Sequence, residues 1–168
     1  MTFRNKVLRH CALFLVNRVL KGTHFFEAKR HLLNFAGLSL GPGVKLVGPI
    51  EIGTVANLIA ERDCWLGKNL KIDGNGTVRL GKNIDIGPQV TFCTGGHEIG
   101  PSEHRAGRGI VATQRIGSGC WIGAHSLIVG NTSIGAGCVV AAGAVVLKDS
   151  PDDVLLAGIP AVVKKDLE

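Results

Sequence analysis

Tyrosine is missing from this chain and aromatic residues make up only 5% of it, so there is no aromatic platform for stacking single-stranded nucleic acid. Its five cysteines, at 11, 64, 93, 120 and 138, show neither a CxxC pair nor the spacing of a disulfide framework. Long apolar runs are lacking too. The stretch Cys11–Val16 is too short for a signal peptide and no cleavage site follows it, and nothing is long enough to span a bilayer. Acidic charge is almost absent from residues 1–35, where Glu27 stands alone against Arg4, Lys6, Arg9, Arg18, Lys21, Lys29 and Arg30. The other 133 residues hold twelve charges of each sign, so the net +6 describes the N-terminal arm only.

Glycine, by contrast, is abundant: 24 of 168 residues, about twice ordinary usage. Much of it falls in a regular pattern. Ile116, Ile122, Ile128, Ile134, Val140 and Val146 recur every six residues without a break. The next position is Gly117, Gly123, Val129, Gly135, Ala141 and Leu147, and the position four after each aliphatic is small: Cys120, Ser126, Thr132, Cys138, Ala144. A helix would need apolar residues at i, i+3, i+4 and i+7, and seven glycines between Ile116 and Val146 would weaken it. Period six with a glycine corner indicates a parallel β-helix, an all-β solenoid in which three hexads make one triangular coil of 18 residues. Each aliphatic then stacks on its equivalent one coil away at ~4.8 Å. Cys120 and Cys138 would stack too, near enough for a disulfide, although both occupy a position that only needs to be small, as filler in a reducing cytoplasm.

Upstream the order loosens. Ile52, Leu58 and Cys64 form one run, Leu66 and Ile72 another, and Leu80, Ile86 and Phe92 a third, with slips of two and a turn at Asp73–Gly76. Hexads begin near Gly41. Residues 1–40 are expected to form a basic helical segment, with one helix over 3–20 (Phe3, Val7, Cys11, Phe14 and Leu15 on one side) and a second from His24 to Phe35. Two readings of this arm stand: a cap over the open end of the first coil, or peripheral contact of residues 1–35 with an anionic membrane. The segment 94–115 breaks the repeat and carries His97 and His104 among five glycines and one proline counted from Cys93, and polar insertions of this kind in rigid solenoids are where chemistry is usually placed. Past Val146 a turn leads to a last strand at Val154–Ala157 and a short basic tail, Lys164-Lys165.

The hexads of 116–146, the Thr94-Gly-Gly-His97 loop and the ending VVLKDSPDDVLLAGIPAVVKK together resemble the hexapeptide-repeat acyltransferases, over residues 41–168. The resemblance implies a left-handed parallel β-helix with loop 94–115 protruding, a homotrimer with its sites between subunits, and acetyl-coenzyme A as donor. It implies His97 as general base. Chemically that is sound, because an alcohol is a poor nucleophile at neutral pH and a neutral imidazole can accept its proton during attack on a thioester. Glu98 and Arg105 become acceptor-side candidates. Trp121, Gly123, Ala124, Ala142 and Gly143 match positions along the coenzyme's arm, the two small pairs being expected one above the other, and Lys164 and Lys165 match bases near its phosphates. Val162 stands where the family often has a base. The loop is similar to those of polysaccharide O-acetyltransferases, so the expected acceptor is a hydroxyl of a sugar or polysaccharide precursor, handled in the cytoplasm or at the inner membrane surface. The expected route is direct attack, with Cys93 as filler.

Several alternatives remain. One is an amino-sugar N-acetyltransferase or a serine-type O-acetyltransferase. Another is a non-catalytic scaffold, which would not bind coenzyme A. A third is a β-helix metalloenzyme using His97, His104 and His125; their spacings of 7 and 21 do not match a close pair on successive coils, so no metal is expected. His125 is expected to face outward near a corner. No nucleic-acid partner is expected.

Overall fold

In the computed structural model, which describes residues 3–167 (side chains from Asn5), the hexads wind into a prism with three parallel walls. The first wall stacks Ser39–Leu40, Asn57–Ala60, Thr77–Leu80, Thr113–Ile116 and Ser133–Ile134. The second stacks Lys45–Leu46, Trp65–Leu66, Asp85–Ile86, Trp121–Ile122, Val139–Val140 and Val154–Gly158, the third Ile50–Ile52, Leu70–Asp73, Thr91–Cys93, Leu127–Val129 and Val145–Val146. The six aliphatics of the regular stretch all point inward, none more than 3% exposed. Burying these side chains in one continuous column supplies most of the drive to fold, roughly 1.5–3 kcal/mol for each large aliphatic.

The slips of two have a simple cause. Along the third wall Ile52 faces Ile72 and Ile72 faces Phe92, a step of twenty residues, whereas Ile128 faces Val146 after eighteen. The early coils therefore carry two extra residues each at the corner between the third and first walls, at 53–56 and 73–76. In the first wall the inward residue aligned with Leu80 and Ile116 is Ala60, while Leu58 and Cys64 are also buried, as the residues two before the rung. Corners elsewhere place one residue per turn in the left-handed region, filled by Asp63, Asn83, Gly119, Gly137 and Asp153 in one column and Asn69, Gln89, His125 and Gly143 in another. Glycine and short polar side chains adopt that conformation at little cost.

The first solenoid strand, Ser39–Leu40, precedes the expected start at Gly41. Before it come α1 (Phe3–Arg18) and α2 (Phe26–Phe35), each two residues shorter than the pattern suggests. The helices are a cap. Val16 and Leu33 are fully buried and belong to the same core as the rungs. Two asparagines complete the open strand edge. Asn34 donates from Nδ2 to the Leu40 carbonyl at 2.8 Å and accepts the Leu40 amide at 2.7 Å, and Asn17 does the same for Ile50 at 2.7 and 2.8 Å. Each side-chain amide stands in for the missing neighbouring strand.

The face of α1 that packs is Arg9, Ala12, Leu13 and Val16; Val7, Cys11, Phe14 and Leu15, the apolar side marked in the sequence, face outward. Phe3 and Arg4 lie outside the described side chains. Two of the arm's bases are interior. Arg9 is 4% exposed and bonded to four backbone carbonyls, and Lys29 is fully buried with its Nζ donating to the Gly22 carbonyl at 2.7 Å. No helix among the described residues is long and apolar enough to cross a membrane. At the far end the tail is a strand, Ala161–Asp166, folded back antiparallel on Val154–Gly158. All five cysteines are free; burial pushes the Cys120 thiol up to about 11, as suits inert filler.

Candidate active site

The insertion leaves the prism at the corner between the third and first walls, after Cys93. It folds as a hairpin of Gly95–Ile99 against Ala106–Val111, with Gly96 facing Ile110 and His97 facing Gly109. Its base is fastened by Thr94, which is fully buried. The Thr94 hydroxyl donates to the Asp73 carbonyl at 2.9 Å and accepts the Gly76 amide at 3.0 Å. Gly76 has to be glycine, since a Cβ there would lie 2.0 Å from the Ala112 oxygen. Gln114, also fully buried, donates from Nε2 to the carbonyls of Cys93, Ile128 and Gly130, locking the hairpin's exit onto the next coil. A flexible-looking polar loop in the sequence is thus a clamped flap.

Between the flap and the Asp73–Asn75 turn lies an open cleft of about 520 Å³, lined also by Cys93, His97, Ile110 and Val111. His97 sits at its wall with Nδ1 2.8 Å from the Gly107 carbonyl oxygen. A carbonyl can only accept, so the proton is on Nδ1 and Nε2 carries a free lone pair. That is the arrangement a general base needs. In the sequence Asp73 and Asn75 mark only a turn. The cue for a larger role was the break in the period, because two extra residues at a corner project where a regular coil is flat.

The other candidates are placed elsewhere. Glu98 points away from the cleft, its carboxylate held by Arg108 at 2.5 Å, and Arg105 donates to the Gly100 carbonyl at 3.3 Å near the hairpin tip; neither lines the cleft. His104 is exposed on the same tip, and His125 is exposed at a corner between the second and third walls. Among the described residues no group of three or more His, Cys, Asp or Glu side chains is placed to hold a metal ion.

Trp121 stands outward on the second wall, 59% exposed, and the ladder Trp121–Val139–Leu155–Lys165 runs along that face. Lys164 falls at the irregularity between Leu155 and Leu156 and is exposed beside it. The small pairs are offset by one from the expected stacking. Ala124 lies over Ala142, with the Gly143 amide donating to the Ala124 carbonyl at 2.9 Å, so Gly143 lies over His125 and Gly123 over Ala141. Gly123 is buried, and a Cβ there would meet the Ala142 nitrogen at 2.5 Å and the Val140 oxygen at 2.6 Å. It is glycine because the next coil approaches it. Gly123→Ala should therefore lower stability by about 2 kcal/mol through overpacking, seen as a drop in melting temperature with or without coenzyme A. An unchanged melting temperature would return Gly123 to a ligand-facing role.

Comparison with known proteins agrees with this architecture. Residues 115–148 match the family described as bacterial transferase hexapeptide (six repeats). The chain is 29% identical over 141 residues to the galactoside O-acetyltransferase of Escherichia coli strain K12, covering 84% of this chain and 70% of that one. It is 33% identical over 151 residues to serine acetyltransferase 2 of Arabidopsis thaliana, 89% of this chain but only 45% of that one. In three dimensions it superposes on a hexapeptide-repeat-containing acetyltransferase from Vibrio cholerae, complexed with acetyl coenzyme A, with a TM-score of 0.82 and 25% identity, covering 98% of this chain and 88% of the other. The solenoid is thus the left-handed β-helix that such repeats build.

Proposed function

Because the chain belongs to the hexapeptide-repeat acetyltransferases, which are acyl-coenzyme-A-dependent enzymes, we propose that it moves an acetyl group from acetyl-coenzyme A to a hydroxyl of a sugar or polysaccharide precursor. The observation that carries this reading is the hydrogen bond from His97 Nδ1 to the Gly107 carbonyl. It holds the imidazole in one tautomer and leaves Nε2 free on a side chain that lines the cleft. Nε2 takes the proton of the acceptor hydroxyl as the oxygen attacks the thioester carbonyl. The tetrahedral adduct collapses by breaking the carbon–sulfur bond, and the imidazolium returns the proton to the departing thiolate. A positioned base of this kind contributes ~10²–10⁴ in rate. The peptide carbonyl of Gly107 orients the ring; Glu98, occupied by Arg108, does not.

In one chain the coenzyme-side candidates Trp121, Ala124, Ala142, Lys164 and Lys165 lie on the second wall and its far edge, away from the His97 cleft, which opens at the opposite corner. A homotrimer resolves this by bringing the second wall of one copy to the flap of the next. The exposed apolar residues Ile110, Val111, Trp121 and Val162 supply surface for such contact. The acetyl donor then lies along the small Ala124 and Ala142 positions, with the tail lysines by its phosphates.

Release of free thiol from acetyl-coenzyme A across a panel of sugars, amino sugars and serine tests the reading. Release should depend on a sugar hydroxyl; release that only an amine or serine supports would replace the acceptor class. Cys93 lines the same cleft, its Sγ donating to the Gly95 carbonyl at 3.6 Å. Direct attack gives it no part in bond making, so Cys93→Ala should keep turnover within about twofold, and loss of activity would reinstate a covalent acyl-cysteine.

A further inference from the structure

A second open hollow, about 640 Å³, lies away from the flap. It lies between the end of α1, the loop that follows it and the corner of the first two coils, and it is lined by Arg18, Lys21, His24 and Lys68 with no acidic side chain. None of Arg18, Lys21 and Lys68 is in an ion pair among the described residues. Glu51, which lines the neighbouring hollow beside Asn17 and Pro49, is taken by Lys71 at 3.3 Å. Three cations around one hollow repel one another, an arrangement that favours an anionic ligand between them.

The loop carrying Lys21 and His24 is built in place. Its Gly22 carbonyl accepts from the fully buried Lys29 at 2.7 Å, and its Gly22 amide donates to the Gly48 carbonyl at 3.3 Å. Lys29 spends its charge on this one carbonyl and on the Phe26 ring, 4.9 Å away, at a desolvation cost that depresses its pKa. Burying an amine to pin a surface loop makes sense if the loop's position matters.

The cleft also has a bearing on the proposed acyl site. Amide-to-carbonyl bonds from Asn69 to Pro49, Gln89 to Lys68, His125 to Pro88 and Gly143 to Ala124 put Pro49, Lys68, Pro88 and Ala124 in one column along the edge between the second and third walls, continued by Ala142. Lys68 is two coils, about 10 Å, from Ala124. Resting on the reading above, in which the coenzyme runs from Ala124 toward the tail lysines, the open stretch of that edge toward Lys68 is left for the acceptor.

We propose that the Arg18–Lys21–His24–Lys68 cleft binds a phosphate or diphosphate carried by the acceptor, so that the substrate is a phosphorylated or nucleotide-linked sugar rather than a free one. Lysines serve as point charges and Arg18 as a fork for such a group.

Calorimetric titration of the full chain with pyrophosphate at low salt tests this without turnover. The wild type should bind saturably, and the double variant Lys21→Gln/Lys68→Gln, at two exposed positions, should bind at least ~10²-fold more weakly, about tenfold for each charged contact removed, with the melting temperature unchanged. Affinity for acetyl-coenzyme A should be the same in both proteins. Absence of pyrophosphate binding, or binding that survives the double variant, overturns the proposal. Displacement of pyrophosphate by coenzyme A would give the site to the coenzyme's phosphates instead. Sedimentation with phosphatidylglycerol vesicles that the double variant abolishes, while pyrophosphate fails to bind, would give it to a lipid surface. Failure here leaves the sugar-panel assay standing, and a negative panel leaves an anion site standing, so the two readings fall separately.

Discussion

Replacing His97 with alanine should cut turnover by ~10²–10⁴, with the melting temperature unchanged. The size follows from what is lost. With no base, the attacking hydroxyl has to shed its proton to water while charge builds on both oxygen and sulfur, at a cost of about 3–5 kcal/mol in the barrier. The fold should not notice, because His97 is exposed and its single hydrogen bond is to an exposed strand of the flap. His97→Asn sharpens the test. An amide at this position can keep a donor toward the Gly107 carbonyl but has no counterpart of Nε2. If orientation of the flap were the contribution of His97, asparagine would restore activity; if proton transfer is, asparagine should be as poor as alanine. Measuring kcat separately from KM for both variants decides it, and an undiminished kcat in either one sinks the role of His97.

The prism was readable because its cause is periodic: one inward aliphatic every six residues leaves no other arrangement that buries them all. The flap's position was readable for the complementary reason, since Thr94–Gln114 interrupts that period. Internal geometry was not. His97 carries its own signal, being a base in a glycine-rich insertion, but the partner that fixes its tautomer is a backbone carbonyl, and a carbonyl is the same in every residue. Glu98 was a natural guess from adjacency, yet strand alternation sends neighbours to opposite sides, and it was claimed by Arg108, ten residues away. The pairs Gly123-Ala124 and Ala142-Gly143 look equivalent as small dipeptides, but they are offset by one because the residue eighteen after Gly123 is Ala141. The sequence marked α1's apolar side as Val7, Cys11, Phe14 and Leu15, but the buried side is organised around a charged residue. No hydropathy pattern marks an arginine as interior, because what makes it so is a set of carbonyls supplied by segments up to 47 residues away.

That arginine should dominate the stability of the N-terminal end. Arg9 donates to Ala36 at 3.3 Å, Gly37 at 3.1 Å, Thr54 at 3.2 Å and Ala56 at 2.5 Å, tying α1 both to the C-terminal end of α2 and to the irregular corner of the first coil. Burial depresses its pKa, but a guanidinium stays charged, and the negative end of the α2 dipole offsets part of the cost. Arg9→Ala leaves the buried carbonyls of Ala36 and Ala56 with no donor and should destabilise the cap by about 3–5 kcal/mol. Arg9→Lys should recover only part of this, since one ammonium cannot reach both sides of the fork. The two tryptophans make the prediction local. Trp65 packs against Phe26 of α2 with ring centroids 5.7 Å apart, whereas Trp121 lies two coils further along the solenoid. Because each coil touches only its neighbours, loss of the cap frays the first coils before the last. In urea, Arg9→Ala should move the Trp65 fluorescence transition to lower concentration, and the Trp121 transition, followed in a Trp65→Phe background, should move less. A Trp65 transition that stays where the wild type has it would mean that the four carbonyls find water as readily as they found Arg9, and that the helices are held without it.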